Sequence, residues 1–138
     1  MDKTSIRKKI IGLRNALDLE TVRENSEKIS RNLFACGEFI KSRHLMAYMS
    51  LDKEVQTESI IKKSLEMGKK VYLPVVDKNK SELKITELPG LDIEFESGPF
   101  GIREPAKKEL RLTSPTVLDC VIIPGVAFDA NGGRLGFG

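Results

Sequence analysis

The feature that most constrains this chain is an uninterrupted apolar run, Val121-Ile122-Ile123, stopped by Pro124-Gly125 and followed by a segment with Gly132, Gly133, Gly136 and Gly138 around Arg134. A short continuous apolar run of this kind suits a strand buried on both faces of a parallel sheet. Ligands of open parallel sheets gather where such strands end. Glycines let the backbone approach a ligand and turn successive N–H groups into one concavity, and an arginine fork grips phosphate oxygens. Two readings follow, a phosphate cradle and a glycine-rich hairpin turned at Asn131-Gly132. The spacing matches neither G-x-x-x-x-G-K-[ST] nor G-x-G-x-x-G.

Upstream, Ile6, Ile10, Leu13 and Leu17 recur at helical spacing, with Lys3, Arg7, Lys8, Lys9 and Arg14 at other positions. This predicts an amphipathic helix with a basic flank. Lys3 and Arg7, four apart, share a side and can meet one anion, although on charge alone such a pair reads as a solvated face. Asp18 is positioned to cap a second helix whose core stripe is Val22, Ile29 and Leu33, with Ser26 in the stripe and Gly37 at its end.

Leu45–Met49 reads as a core strand, Asp52–Thr57 as a polar loop ending in a helix cap, and Ile60, Ile61 and Leu65 as a helix closed by Gly68. Val71–Val76 is then a second strand, interrupted by Pro74, and strand, helix and strand in this order make a right-handed parallel crossover. The loop carrying Asp52 and Glu54 therefore leaves a carboxyl strand end. If the strand at 121–123 joins the same parallel sheet, the glycine-rich segment opens on the same side. Residues 83–86 alternate like an edge strand, 98–101 form a turn with an extended exit, and 107–116 read as surface connection.

The 138 residues fit one domain, and 40% hydrophobic with 31% charged residues is a globular composition. A net charge of +3 permits an anionic substrate but lacks the basic stripe of a nucleic-acid binder. No run reaches the roughly 20 apolar residues that span a bilayer, and no signal core opens the chain. Cys36 and Cys120 are far apart, which points to a reduced, cytoplasmic protein without a zinc motif. Asp52 and Glu54 are the carboxylates best placed to hold a substrate nitrogen or a magnesium ion. His44 has no recognisable catalytic partner, and no nucleophile set is present, so chemistry here must rely on positioning and charge stabilisation, as phosphoryl transfer does.

Lys3-Thr-Ser-Ile-Arg7, Tyr48-Met-Ser-Leu-Asp-Lys-Glu54-Val-Gln-Thr57, Gly68-Lys-Lys-Val-Tyr-Leu-Pro74, Phe100-Gly-Ile-Arg-Glu-Pro105 and Pro124-Gly-Val-Ala-Phe-Asp129 leading into Gly133-Arg-Leu-Gly-Phe-Gly138 together resemble the 5-formyltetrahydrofolate cyclo-ligases. The resemblance spans the chain in the family's order. It implies a three-layer α/β/α sandwich with a largely parallel open sheet, and one nucleotide- and folate-binding domain over 1–138. It also implies ATP- and Mg2+-dependent closure of 5-formyltetrahydrofolate to 5,10-methenyltetrahydrofolate in a monomer with small-molecule partners only. The γ-phosphoryl group passes to the formyl oxygen, the second folate nitrogen attacks the activated carbon, and phosphate leaves.

The resemblance assigns Lys3, Thr4, Ser5, Ile6 and Arg7, with Arg134, Leu135, Gly136, Phe137 and Gly138, to ATP; Met49, Glu54, Phe137 and Gly138 to folate; and catalysis to Arg134. No metal ligand is assigned within the chain, because the family's candidate aspartate lies in a Tyr-Tyr-Asp segment beyond the matching residues. The expectation is accordingly a form incomplete at its C-terminus, with feeble ATP binding and no turnover. The competing expectations are a nucleotide-binding or interaction module without turnover, and a sugar-phosphate isomerase or acyl-CoA transferase on a similar sheet.

Overall fold

The computed structural model describes residues 1–76 and 82–137. The elements are, in chain order, α1 (Lys3–Asn15), α2 (Leu19–Phe34), α3 (Gly37–Lys41), β1 (His44–Met46), α4 (Glu58–Glu66), β2 (Lys70–Val75), β3 (Lys84–Leu88), β4 (Phe95–Ser97), β5 (Arg103–Pro105), β6 (Leu112–Thr113), β7 (Cys120–Val121), β8 (Ala127–Phe128) and β9 (Arg134–Leu135).

The apolar run at 45–49 supplies β1, which lies between β2 and β7 and pairs parallel with both; Leu45 faces Val71 on one side and Cys120 on the other. The sheet order is β6-β3-β2-β1-β7. The expected α/β class and the parallel crossover through α4 are therefore present. The sheet is mixed, since β3 runs antiparallel to β2 and β6 antiparallel to β3. The residues at 83–86 are consequently not an edge, and the stretch read as surface connection contributes the edge strand β6. Two residues are too few to show the alternation that marks a strand in sequence.

Alternation along β2 and along the chain that leaves β1 brings Ala47, Met49, Val71 and Leu73 into one core with Ile61 of α4 and Leu88 of β3. Gly68 turns the chain out of α4 at φ +79°, a left-handed position that suits glycine. Thr57 occupies the N-cap of α4, but its hydroxyl donates to the Tyr48 carbonyl rather than capping the helix. Asp18 does cap α2, accepting from Thr21 N at 2.7 Å. Gly37 does not end that helix; the chain leaves α2 at Ala35, and Gly37 opens α3. Lys69 is buried, its ammonium donating to the Ile40 and Ser42 carbonyls at 3.0 and 2.6 Å over the Phe39 ring. That lysine satisfies carbonyls at the C-terminal end of α3 and fixes where β2 begins.

The strand β7 departs from expectation: Val121 and Ile123 are exposed rather than buried on both faces. β7 is an edge of the described sheet, with β1 as its one neighbour. It is held in place partly by Asp119, whose carboxylate accepts from the N–H groups of Arg43 and His44 at 3.0 Å each. Those donors, Arg43 first, hold the Asp119 carboxyl below its ordinary value of 3.8. A depressed carboxyl stabilises the fold fully above the unfolded value and loses that contribution as pH falls through the folded one. Asp119→Ala should therefore destabilise the protein near neutral pH, by about 1 kcal/mol or less because solvent screens the exposed carboxylate, and the gap from the parent should close as urea midpoints are followed below pH 3.8.

Candidate functional site

The parallel pairing of β1 and β7 carries two loops to the same edge. The first, after β1, is internally tied: Leu51 N donates to Glu54 Oε1 at 2.7 Å, and the Gln56 side-chain amide donates to the Leu51 and Glu54 carbonyls at 2.9 and 3.0 Å. It is also tied outward. Gln56 N donates to the buried Ser26 hydroxyl of α2 at 2.9 Å, and the Lys53 ammonium donates to the Leu17 carbonyl between α1 and α2.

The second loop resolves the two readings of the glycine-rich segment in favour of the hairpin. β8 and β9 pair antiparallel around a turn in which Asp129 Oδ1 accepts from Asn131 N and Gly133 N at 2.8 and 2.7 Å, and Gly132 takes φ +85°. These N–H groups serve the turn, not an open concavity. Close approach explains one glycine directly, because a Cβ on Gly133 would stand 2.3 Å from the Asp129 carboxylate. Arg134 Nη1 donates to the Pro124 carbonyl at 2.8 Å, so its fork lies back along the hairpin.

Helix α1 meets this hairpin. Arg7 Nε donates to the Gly136 carbonyl at 2.8 Å, and the Arg14 guanidinium lies 5.4 Å from the centre of the Phe137 ring. The inward side of α1 is made of half-buried Ile6, Arg7, Ile10, Ile11 and Arg14, whereas Leu13 is 59% exposed. The helix is therefore rotated from the orientation its apolar spacing predicts. Two arginines seven residues apart sit on the packed side.

Between α1, α2 and the two loops is a cavity of about 470 Å³. Its apolar walls include Val22, Leu33, Ile60, Ile122, Val126 and Phe128, and its polar groups include Arg14, Asn25, Ser26, Tyr48, Lys53 and Glu54. Burial pushes the Tyr48 hydroxyl up to about 12, and the Glu54 carboxylate adds to that rise.

Of the residues singled out from sequence, Glu54 lines the cavity and Arg7, Leu135, Gly136 and Phe137 come together at α1 and the hairpin. Lys3, Thr4 and Ser5 lie exposed on the first turn of α1, where Ser5 N donates to the capping Asp2 carboxylate at 2.7 Å, and Ile6 turns inward. Met49 is not on the cavity: it is buried in the core with Ala47 and Leu73. Adjacent residues of extended chain point to opposite faces, and Tyr48, next to Met49, lines the cavity. Ile29 is likewise 44% exposed and borders the cavity instead of the core. Asp52 is exposed beyond the cavity lining. His44 lies at the amino end of β1, its Nδ1 2.9 Å from the Tyr72 hydroxyl, away from both loops. Gly138 lies outside the described residues.

Among the described residues no group of three or more His, Cys, Asp or Glu side chains converges to hold a metal ion. No helix among them is long and apolar enough to cross a membrane. Arg14, Asn25, Tyr48 and Lys53 line the cavity without being candidates from sequence. Arg14 was findable by counting seven from Arg7, and Tyr48 by alternation from Met49.

Comparison with known proteins places these features in context. The model of the 5-formyltetrahydrofolate cyclo-ligase family matches residues 1–138. A probable 5-formyltetrahydrofolate cyclo-ligase of Caenorhabditis elegans is 32% identical, the alignment covering 99% of this chain and 68% of that protein. The 5-formyltetrahydrofolate cyclo-ligase of Saccharomyces cerevisiae is also 32% identical, over 99% of this chain and 71% of its own length. The solved structure of Aquifex aeolicus 5,10-methenyltetrahydrofolate synthetase superposes with a TM-score of 0.84 at 36% identity, covering 100% of this chain and 68% of that one.

The raised Tyr48 hydroxyl gives a pH signature. The folded state keeps this proton up to about 12, whereas the unfolded chain releases it near about 10. Between those values the unfolded state binds fewer protons, so stability falls as pH rises. Urea midpoints measured at pH 9 and pH 11 should therefore drop more in the parent than in Tyr48→Phe. Equal drops would show that this hydroxyl is not held protonated by its surroundings.

Proposed function

The chain belongs to the 5-formyltetrahydrofolate cyclo-ligase family, a family of ligases, and from that premise we propose that its cavity holds 5-formyltetrahydrofolate while α1 and the glycine-rich hairpin hold ATP. The observation that carries this reading is the convergence of the loops after β1 and β7 on one cavity, with α1 bonded to the hairpin through Arg7 and Gly136. Apolar walls of this kind suit the flat rings of a folate, and Glu54 accepts hydrogen bonds from pterin N–H groups. One Glu54 oxygen is already engaged by Leu51 N, which fixes the carboxylate's direction.

On the ATP side, Lys3 and Arg7 supply positive charge from one side of α1, and the main chain of Leu135, Gly136 and Phe137 follows the nucleotide. Thr4, Ser5 and Ile6 are the intervening backbone. Arg134 reaches the transferring phosphoryl group by exchanging its bond to the Pro124 carbonyl for phosphate oxygens. Donors held in place around the phosphates stabilise the charge that develops during transfer. The formyl oxygen attacks the γ-phosphorus and ADP leaves; the second folate nitrogen then attacks the activated carbon, and phosphate departs with the proton lost from that nitrogen. Among the described residues no three or more His, Cys, Asp or Glu side chains converge, so a magnesium ion would be held mainly by the ATP phosphates and water with one or two carboxylates, and would supply charge neutralisation there.

Calorimetric titration tests the assignment of the two halves. Glu54→Gln should weaken 5-formyltetrahydrofolate binding by about 1 to 3 kcal/mol and leave ATP binding unchanged. Loss of ATP affinity with intact folate affinity would reverse the assignment. Formation of the methenyl product, followed by its absorbance, should require ATP; formation at the same rate without ATP would contradict the phosphoryl-transfer reading.

A further inference from the structure

Among the described residues, the buried side-chain nitrogens without any hydrogen-bond partner are Nε and Nη1 of Arg14. Leaving such donors unpaired is costly, and the cost is greater for a charged group. Arg14 borders the cavity and packs against Phe137. The two orphaned atoms lie on different edges of the guanidinium fork. A carboxylate received on either edge therefore satisfies one of them, in the planar two-point geometry that arginine offers and lysine does not.

We propose that Arg14 is the anchor for the glutamate carboxylate tail of the bound folate, an inference that rests on the folate reading given above. Position separates this role from phosphate binding. Arg14 lies seven residues beyond Arg7, about 10 Å along the helix at 1.5 Å per residue, and it faces the apolar cavity. Glu54, an acceptor, suits the pterin end of the substrate. Lys53, the other cation on the cavity, is already committed to the Leu17 carbonyl. The Phe137 ring lies against the guanidinium and is 48% exposed, so its displacement toward solvent would open the fork to the tail.

The test uses the full chain, with Arg14→Gln and Arg14→Lys variants, titrated with 5-formyltetrahydrofolate, with 5-formyltetrahydropteroate, which lacks the glutamate, and with ATP. The parent should bind the glutamate-bearing compound about tenfold or more tightly than the tailless one. Arg14→Gln should abolish that difference while leaving the tailless compound and ATP unaffected, and Arg14→Lys should restore part of it. The ligand-free melting temperature of Arg14→Gln should stay close to the parent's, because the substitution removes a buried charge with unpaired donors and, with it, the contact to Phe137. Equal weakening of both folates, weakening of ATP alone, or a lowered melting temperature with loss of every ligand would each overturn the assignment. Equal binding of the two compounds by the parent also removes the tail anchor alone, whereas binding of neither removes the folate reading with it.

Discussion

The parallel pairing of β1 with both β2 and β7 is the constraint on which the rest of the structure depends. It buries Leu45 completely and points the chain after β1 and the chain after β7 toward one edge of the sheet. Reversing either strand would send its loop to the opposite edge, beside His44 and the basic residues Arg43 and Lys70, and the cavity would lose a wall. The crossover through α4 secures the β1–β2 half with apolar contacts. Hydrogen bonds from Arg43 N and His44 N to Asp119 secure the β7 half, where apolar burial is slight.

The loops at that edge are built from polar groups paired with one another. Glu54, Gln56 and Ser26 hold the first loop in one shape, and Asp129 closes the hairpin of the second. Such pairing orders the backbone before a ligand arrives, so less conformational entropy is lost on binding. What remains unpaired stands out against that background. Arg14 has orphaned donors, and Arg7 is bonded to the hairpin through Nε.

The central crossover was legible in the sequence because its signals are local. Thr57 before an apolar stripe and Gly68 after it mark a helix, and the runs on either side mark strands. The resemblance of the motifs to the cyclo-ligases pointed to the family for a related reason, since the matching residues are spread through the whole chain. Features fixed by tertiary contact were not legible. The spacing of Ile6, Ile10 and Leu13 suggests one buried face for α1, but contact with the hairpin selects a face shared by Ile10, Arg7 and Arg14 instead. Met49 is buried in the core and Tyr48 lines the cavity because adjacent residues of extended chain face opposite ways, and the sequence does not say which face α4 covers. β6 is only two residues long and exists through its partner β3. Whether the glycines formed a cradle or a hairpin was decided by the Asp129 carboxylate, whose hydrogen bonds are invisible until the turn is formed.

The central claim is that two loops and α1 make a single ligand site. Backbone amide shifts from an isotope-labelled sample, followed while 5-formyltetrahydrofolate and a non-hydrolysable ATP analogue are added, test it most directly. The account predicts saturable changes in all three segments together: residues 48–57, residues 122–137 and the inward side of α1 around Arg7 and Arg14. Changes confined to one of the three, or clustered at the opposite edge around His44 and Lys70, would contradict it.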